Sequence, residues 1–169
     1  MELLAIRHGV AEERETFAET GQYDSLRPLT KEGRSKMERV AKGLRRALPA
    51  LDVIATSPFR RAEQTATIVA GAYGDTEVVQ LAALTPDGPQ RAFITWLRGR
   101  GEGDRVAIVG HDPHLPSLVS WLVTGEAIEG RFTLRKGGAC LLEIDGQPRA
   151  GKATLIWSLT PSLLRRVGE

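Results

Sequence analysis

Cysteine is almost missing from this chain: Cys140 stands alone. An intramolecular disulfide framework and a multi-cysteine zinc site are therefore excluded. Cys140 lies in the apolar run "GGACLLEI", which reads as a small buried hydrophobe. Charge of one sign is not in excess, since 23 Lys+Arg against 21 Asp+Glu leave a formal +2. That balance does not suit a general nucleic-acid binder. No apolar run approaches the ~20 residues of a membrane span, and the first residues lack the pattern of a secretory signal. The expectation is a cytoplasmic protein without membrane or nucleic-acid partners. Internal repeats, low-complexity stretches and a second composition zone are also missing, so residues 1–169 read as one domain.

What is present is an alternation of short apolar runs with longer amphipathic ones. Strands are predicted at Glu2–Ile6, Asp52–Ser57, Thr76–Leu81 and Arg105–Gly110. Helices are predicted over Lys31–Leu48, with Thr30 as N-cap and Pro49 beyond its end, and over Phe59–Ala72, Gln90–Leu97 and Leu115–Val123. "CLLEI" and "TLIWSL" flank the turn-rich "DGQPRAG", the pattern of a closing antiparallel hairpin. The fold class is α/β: a three-layer sandwich with a mostly parallel central sheet between helices. Val10–Leu29 is long for a connection and follows His8 at once, which makes it a candidate rim. The tail "SLLRRVGE" reads as a frayed terminus or a packing segment.

Ligands of open α/β sheets bind beyond the carboxyl ends of the strands. Three of these ends carry chemistry: Arg7-His8-Gly9, the stretch "TSPFRRAEQTA" with Ser57 and Arg61, and "VGHDPHLP" with His111. The groups are complementary. Arginines grip phosphoryl oxygens and stay charged, one histidine can attack phosphorus, and a second can donate to charge developing on the transferred group. Gly9 would let backbone approach the phosphate, with amides of an adjacent helix N-terminus as donors. "GRGEGD" precedes a strand and fails as a nucleotide loop. In "HDPH", Pro113 breaks any helical face joining His111, Asp112 and His114, so no metal and no cofactor is expected, and His114 reads as a rim or helix-cap residue.

These three motifs, in this order, resemble the histidine phosphatase superfamily, also called the phosphoglycerate-mutase-like fold. The resemblance spans nearly the whole chain. It implies that His8 is the phosphorylated nucleophile and that Arg7, Arg61 and His111 complete a catalytic phosphate pocket, Arg61 and not Arg60 matching the spacing before Ala62. Within the superfamily the chain is most similar to the short SixA-type phosphohistidine phosphatases, through "SPF-x-RAEQT" at Ser57–Thr65, "RPLT" at Arg27–Thr30 and "LTP" at Leu84–Pro86. Gly9, Ser57 and Arg27 are the candidate substrate-binding residues. One departure is visible: where many members carry a glutamate proposed as general acid, Ala83 stands here, with Asp87 the nearest carboxylate in an ordinary Pro-Asp-Gly turn.

The missing acid fits cleavage of a P–N bond, whose imidazole leaving group takes its proton from solvent. The short chain between Arg61 and His111 leaves little for a lid, so an open pocket is expected. The reading is a metal-independent phosphatase acting through phosphohistidine on His8, with phosphohistidine on a signalling or phosphotransfer protein as substrate. A phosphatase of small phosphomonoesters is the alternative. A catalytically silent phosphate-binding module is the alternative of another class.

Overall fold

A computed structural model describes residues 1–169, and its architecture follows from alternation within the strands. β1 (Glu2–Arg7), β2 (Val53–Thr56), β3 (Val78–Gln80), β4 (Arg105–Gly110), β5 (Ala139–Ile144) and β6 (Ala153–Leu159) form one sheet in the order β3-β2-β4-β1-β5-β6. The first four are parallel, while β5 is antiparallel to both β1 and β6. Leu3, Ala5, Val53, Ala55, Val106 and Ile108 bury one face; Leu4, Ile6, Ile54, Ala107 and Val109 bury the other. A strand apolar on both faces needs cover on both, and the helices supply it.

Five helices provide that cover and one builds the rim. α1 (Arg14–Ala18) lies in the rim segment; α2 (Lys31–Ala47), α3 (Arg60–Ala72), α4 (Gln90–Arg98), α5 (His114–Thr124) and α6 (Pro161–Val167) follow. Met37, Val40, Ala41 and Leu44 of α2, Ala62, Ala66 and Val69 of α3 and Leu164 of α6 join one core, whereas Phe93, Ile94 and Leu97 of α4 and Leu115, Leu118 and Leu122 of α5 join the other. Thr30 caps α2, its hydroxyl accepting from the Gly33 N–H at 2.9 Å. The three-layer α/β sandwich with its closing hairpin is thus the observed fold.

Two segments are more ordered than their sequences suggest. Residues 161–167 form a helix instead of a frayed end, because Pro161 opens it, Thr160 caps it and Leu164 is buried against α2. The Val10–Leu29 connection closes on itself through a bridge between Ala11 and Leu29, and holds α1 and a 3-10 turn at Asp24–Leu26. Cys140 is buried in β5, where desolvation pushes its thiol up to about 12, as a packed hydrophobe requires.

The strand order places the site. β2 and β1 lie on either side of β4, and Arg7 is level with Gly110 across the β1–β4 pair. His8, Ser57 and His111 each follow the end of one of these strands. With strands about 4.8 Å apart, three residues far apart in sequence share one sheet edge.

Candidate active site

A polar pocket of about 290 Å³ opens at this edge, lined by Arg7, His8, Arg14, Arg27, Arg61 and His111 among others, with no hydrophobic side chain. His8 is 6% exposed and His111 2%, and their rings lie 5.1 Å apart. The His8 Nδ1 is 2.7 Å from the Gly9 carbonyl oxygen. A carbonyl only accepts, so Nδ1 carries the hydrogen and Nε2 keeps its lone pair. Burial pushes the imidazole down to about 3 against the upward pull of the Gly9 carbonyl, and the charges of Arg61, Arg7 and Arg27 each add a smaller push down. His8 is a neutral base near neutral pH.

His111 is fixed through Ser57. The Ser57 Oγ accepts from the Phe59 N–H at 3.2 Å and lies 2.8 Å from His111 Nε2. With that hydroxyl donating to Nε2, the ring hydrogen belongs on Nδ1. Nδ1 is buried and has no partner. Only four buried side-chain polar atoms lack one, and three of them, Arg7 Nε, Arg61 Nε and His111 Nδ1, belong to residues that line this pocket. Unpaired buried donors cost stability, so their concentration around one cavity marks a place for an oxyanion. Burial, then the nearby His8, also pushes His111 down to about 3, yet a neutral Nδ1–H still donates.

The "RAEQT" stretch explains how the arginine is held. At the start of α3, Arg61 is 1% exposed while Arg60 is exposed. The Thr65 hydroxyl accepts from the Gly9 N–H at 3.0 Å and donates to the Arg61 carbonyl at 2.8 Å, tying α3 to the end of β1. Gln64 Oε1 accepts from the Leu29 N–H at 2.8 Å and fastens the rim. Arg61 Nη1 donates to the Asp24 carbonyl at 2.9 Å, and its Nη2 is 3.1 Å from the Asp24 carboxylate. Arg27 Nε donates to that carboxylate at 2.8 Å and Nη1 to the Glu12 carbonyl at 2.7 Å. Burial pulls the Asp24 carboxyl upward, but the Arg27 hydrogen bond and the charges of Arg61 and Arg27 outweigh it and hold it below the usual range. On the opposite wall, Arg7 Nη1 donates to the Leu134 carbonyl at 2.7 Å.

Arg7, His8, Arg27, Arg61 and His111 therefore share one pocket. Gly9 and Ser57 do not line it. Ser57 is wholly buried behind His111 and acts on the ring. The Gly9 N–H is taken by Thr65, and a Cβ at residue 9 would meet Met37 Cγ at 2.6 Å, so glycine here answers to packing. The chain after Gly9 is not helical until Arg14, so no helix opens directly at Gly9. The Val10–Leu29 rim contributes Glu12, Glu13, Arg14 and Arg27 to the pocket lining.

Ala83 is buried in the apolar core and Asp87 is an exposed residue outside the pocket lining. The carboxylates that do line the pocket, Glu12, Glu13 and Asp112, are exposed. His114 Nε2 lies 3.0 Å from the Ala83 carbonyl oxygen, and His111 faces Ser57, so the "HDPH" donors do not converge. No helix is long and apolar enough to cross a membrane.

Comparison with known proteins agrees with this geometry. Residues 3–85 match the model of the histidine phosphatase superfamily, branch 1. The chain is 35% identical over 140 residues to an uncharacterized protein of Picosynechococcus, covering 82% of each. It is 28% identical over 169 residues to the phosphohistidine phosphatase SixA of Escherichia coli K12, covering 98% of this chain and 97% of that one. The structure of the protein histidine phosphatase SixA complexed with tungstate superposes with a TM-score of 0.80 at 28% identity, covering 97% of this chain and 99% of that one. The strand-end arginine and histidines thus sit on a SixA-like fold, and the chain belongs to the histidine phosphatase superfamily.

Proposed function

We propose that the protein is a phosphatase that transfers a phosphoryl group to His8 and then to water, and that its substrate is phosphohistidine displayed on another protein. The observation that carries the reading is the neutral His8 Nε2 beside a set of buried donors with no buried carboxylic acid among them. The Nε2 lone pair forms a bond to phosphorus as the P–N bond to the substrate imidazole breaks. Arg7, Arg61 and the His111 Nδ1–H bind the equatorial oxygens where negative charge gathers. The departing imidazole nitrogen takes a proton from solvent. Water then attacks phosphorus, the bond to Nε2 breaks, and inorganic phosphate leaves with His8 restored.

An alkoxide is a poor leaving group without an acid, whereas an imidazole needs little help. The absence of a buried carboxylic acid therefore favours P–N over alkyl P–O cleavage. Similarity to SixA supports the same substrate class.

The test is rapid quenching with a labelled phosphohistidine peptide, an aryl phosphate and a sugar phosphate. Acid-labile, alkali-stable label should appear on His8, and His8→Ala should lose at least about 1,000-fold in turnover, as expected for removal of a nucleophile. kcat/KM should be highest for the phosphohistidine peptide and lowest for the sugar phosphate. Unchanged turnover in His8→Ala would dismiss the intermediate. A preference for the sugar phosphate would favour a small-molecule phosphatase.

A further inference from the structure

A second cleft begins one residue beyond His8. It holds about 260 Å³ and is lined by Gly9, Val10 and Met37, by Thr160–Ser162, and by four cations, Lys36, Arg135, Lys136 and Arg165. No carboxylate lines it. The one acid paired with any of the four is Glu32, whose exposed carboxylate meets Lys36 at 2.5 Å from the preceding turn of α2. In a chain of formal charge +2, four cations around one depression are a local concentration.

The cleft and the candidate active site are continuous. Lys136 lines both. It is placed by the turn before β5, where the Gly137 N–H donates to the Arg7 and His8 carbonyls, each at 3.0 Å. Gly137 has a φ of +79°, and a Cβ there would meet Met37 Sδ at 2.9 Å, so only glycine allows this turn to lie so close to β1 and α2. The same hydrogen bonds that close the end of β1 thus hold Arg135 and Lys136 beside it.

We infer that the Lys36–Arg135–Lys136–Arg165 cleft is a docking surface for an acidic segment of the phosphorylated protein substrate, flanking the phosphohistidine that enters the pocket. This rests on the reading of the substrate as a phosphohistidine protein. Exposed cations on a rim contribute mainly to encounter rate and partner choice. Their contribution falls with added salt, because exposed charges are screened beyond about 10 Å at 0.1 M. A small phosphoester has no chain to lie in the cleft and would not sense it.

The experiment uses short synthetic peptides with one phosphohistidine flanked by Glu and Asp, or by Ser and Gln, together with an aryl phosphate and a fluorescein-labelled unphosphorylated acidic peptide. The parent should process the acidic-flanked peptide with about 10-fold higher kcat/KM than the neutral one, the difference lying in KM and shrinking at high salt. Lys36→Glu with Arg165→Glu should erase that preference and the binding of the labelled peptide, while aryl phosphate turnover stays at the parental level. Lys36→Gln with Arg165→Gln should show the same direction if charge reversal disturbs folding. Equal turnover of both phosphohistidine peptides by the parent, or a preference that survives both double variants, would overturn the docking surface and leave the substrate reading intact. Binding of the acidic peptide that the variants abolish, with no phosphohistidine turnover, would keep the docking surface and remove the substrate reading.

Discussion

The two ends of the parallel strands carry similar charges and use them in opposite ways. At the amino end, Arg105 Nε meets the Glu2 carboxylate at 2.7 Å and the Arg105 N–H meets Asp52 Oδ2 at 2.7 Å, all of it exposed to solvent. At the carboxyl end, His8, Arg61 and His111 are buried, and Arg7 Nε, Arg61 Nε and His111 Nδ1 have no partner. One end is paired and wet; the other is drier, and although Asp24 pairs with Arg61 and Asp112 lies near Arg7, three of its nitrogens have no partner. Strand-end charge alone therefore does not mark a functional site, whereas burial without saturation does.

Breaking the dry end should have the largest effect. Arg61→Ala should lower kcat on an aryl phosphate by roughly 100- to 1,000-fold, the scale of losing one preorganised donor to transition-state charge. Arg105→Ala should change it by less than about two-fold, since exposed strand-end pairs contribute little. Steady-state kinetics on the pair checks both. Equal losses would abolish the distinction between the two ends.

Protonation gives the next largest effect. His8 and His111 are both pushed down to about 3 from 6.5. Between those values the unfolded chain binds protons that the native chain refuses, so stability falls as pH drops through 6.5 toward about 3. At pH 5 one such histidine should raise the unfolding equilibrium constant by roughly 30-fold over its value at high pH. Urea unfolding of parent and His111→Gln across pH 4–8 should show a shallower acid slope in the variant. Nitrogen NMR of the rings should find both imidazoles neutral at pH 5, and a midpoint near 6.5 for His8 would contradict its burial as the dominant cause.

The sequence carried the strand tips, because alternation and chain order are local patterns. The resemblance to the family motif, with the arginine just before Ala62, also picked Arg61 over Arg60, and the structure buries Arg61 and exposes Arg60. What the sequence could not carry were partners chosen by packing. Asp24 lies far along the chain from Arg61, within a rim of weak periodicity, yet it pairs with Arg61 and Arg27. Ser57 and Gly9 look like substrate contacts when only their nearness to the site is known; their contacts with His111, Thr65 and Met37 turn them into supports. Ala83 reads as a vacant acid position, but its side chain points into the core cluster with Leu84 and Phe93. The 161–167 helix is too short to announce itself, and it is held by the Thr160 cap, by Pro161 at its start and by the buried Leu164.

Ser57 sharpens the comparison on a finer scale. Ser57→Ala removes a hydroxyl that does not line the pocket but, by donating to His111 Nε2, would keep the ring hydrogen on Nδ1. Turnover should fall about 10-fold through kcat with KM little changed, because a mis-set tautomer weakens an interaction made in the transition state. The ring nitrogens of His111 should then show a mixture of tautomers. Ser57→Thr, which keeps the hydroxyl, should restore the single tautomer if its methyl is accommodated. Unchanged kcat and tautomer in Ser57→Ala would reduce Ser57 to a turn residue holding the Phe59 N–H.

The smallest effect belongs to the wet end. Glu2→Gln removes a carboxylate 2.7 Å from Arg105 Nε, a distance that invites a large estimate. Geometry is outweighed here by exposure, since Glu2 and Arg105 side chains are 35% and 47% exposed and solvent replaces what the pair loses. The backbone connections survive the change: the Glu2 N–H still donates to the Asp104 carbonyl at 2.9 Å, and Asp52 still accepts from the Arg105 N–H. Unfolding free energy should therefore shift by less than about 0.5 kcal/mol, measured by urea denaturation at low and high salt, with kcat/KM unaltered. A loss above about 2 kcal/mol would mean that the pair behaves as a buried one, and that burial and saturation do not separate the two ends of the sheet.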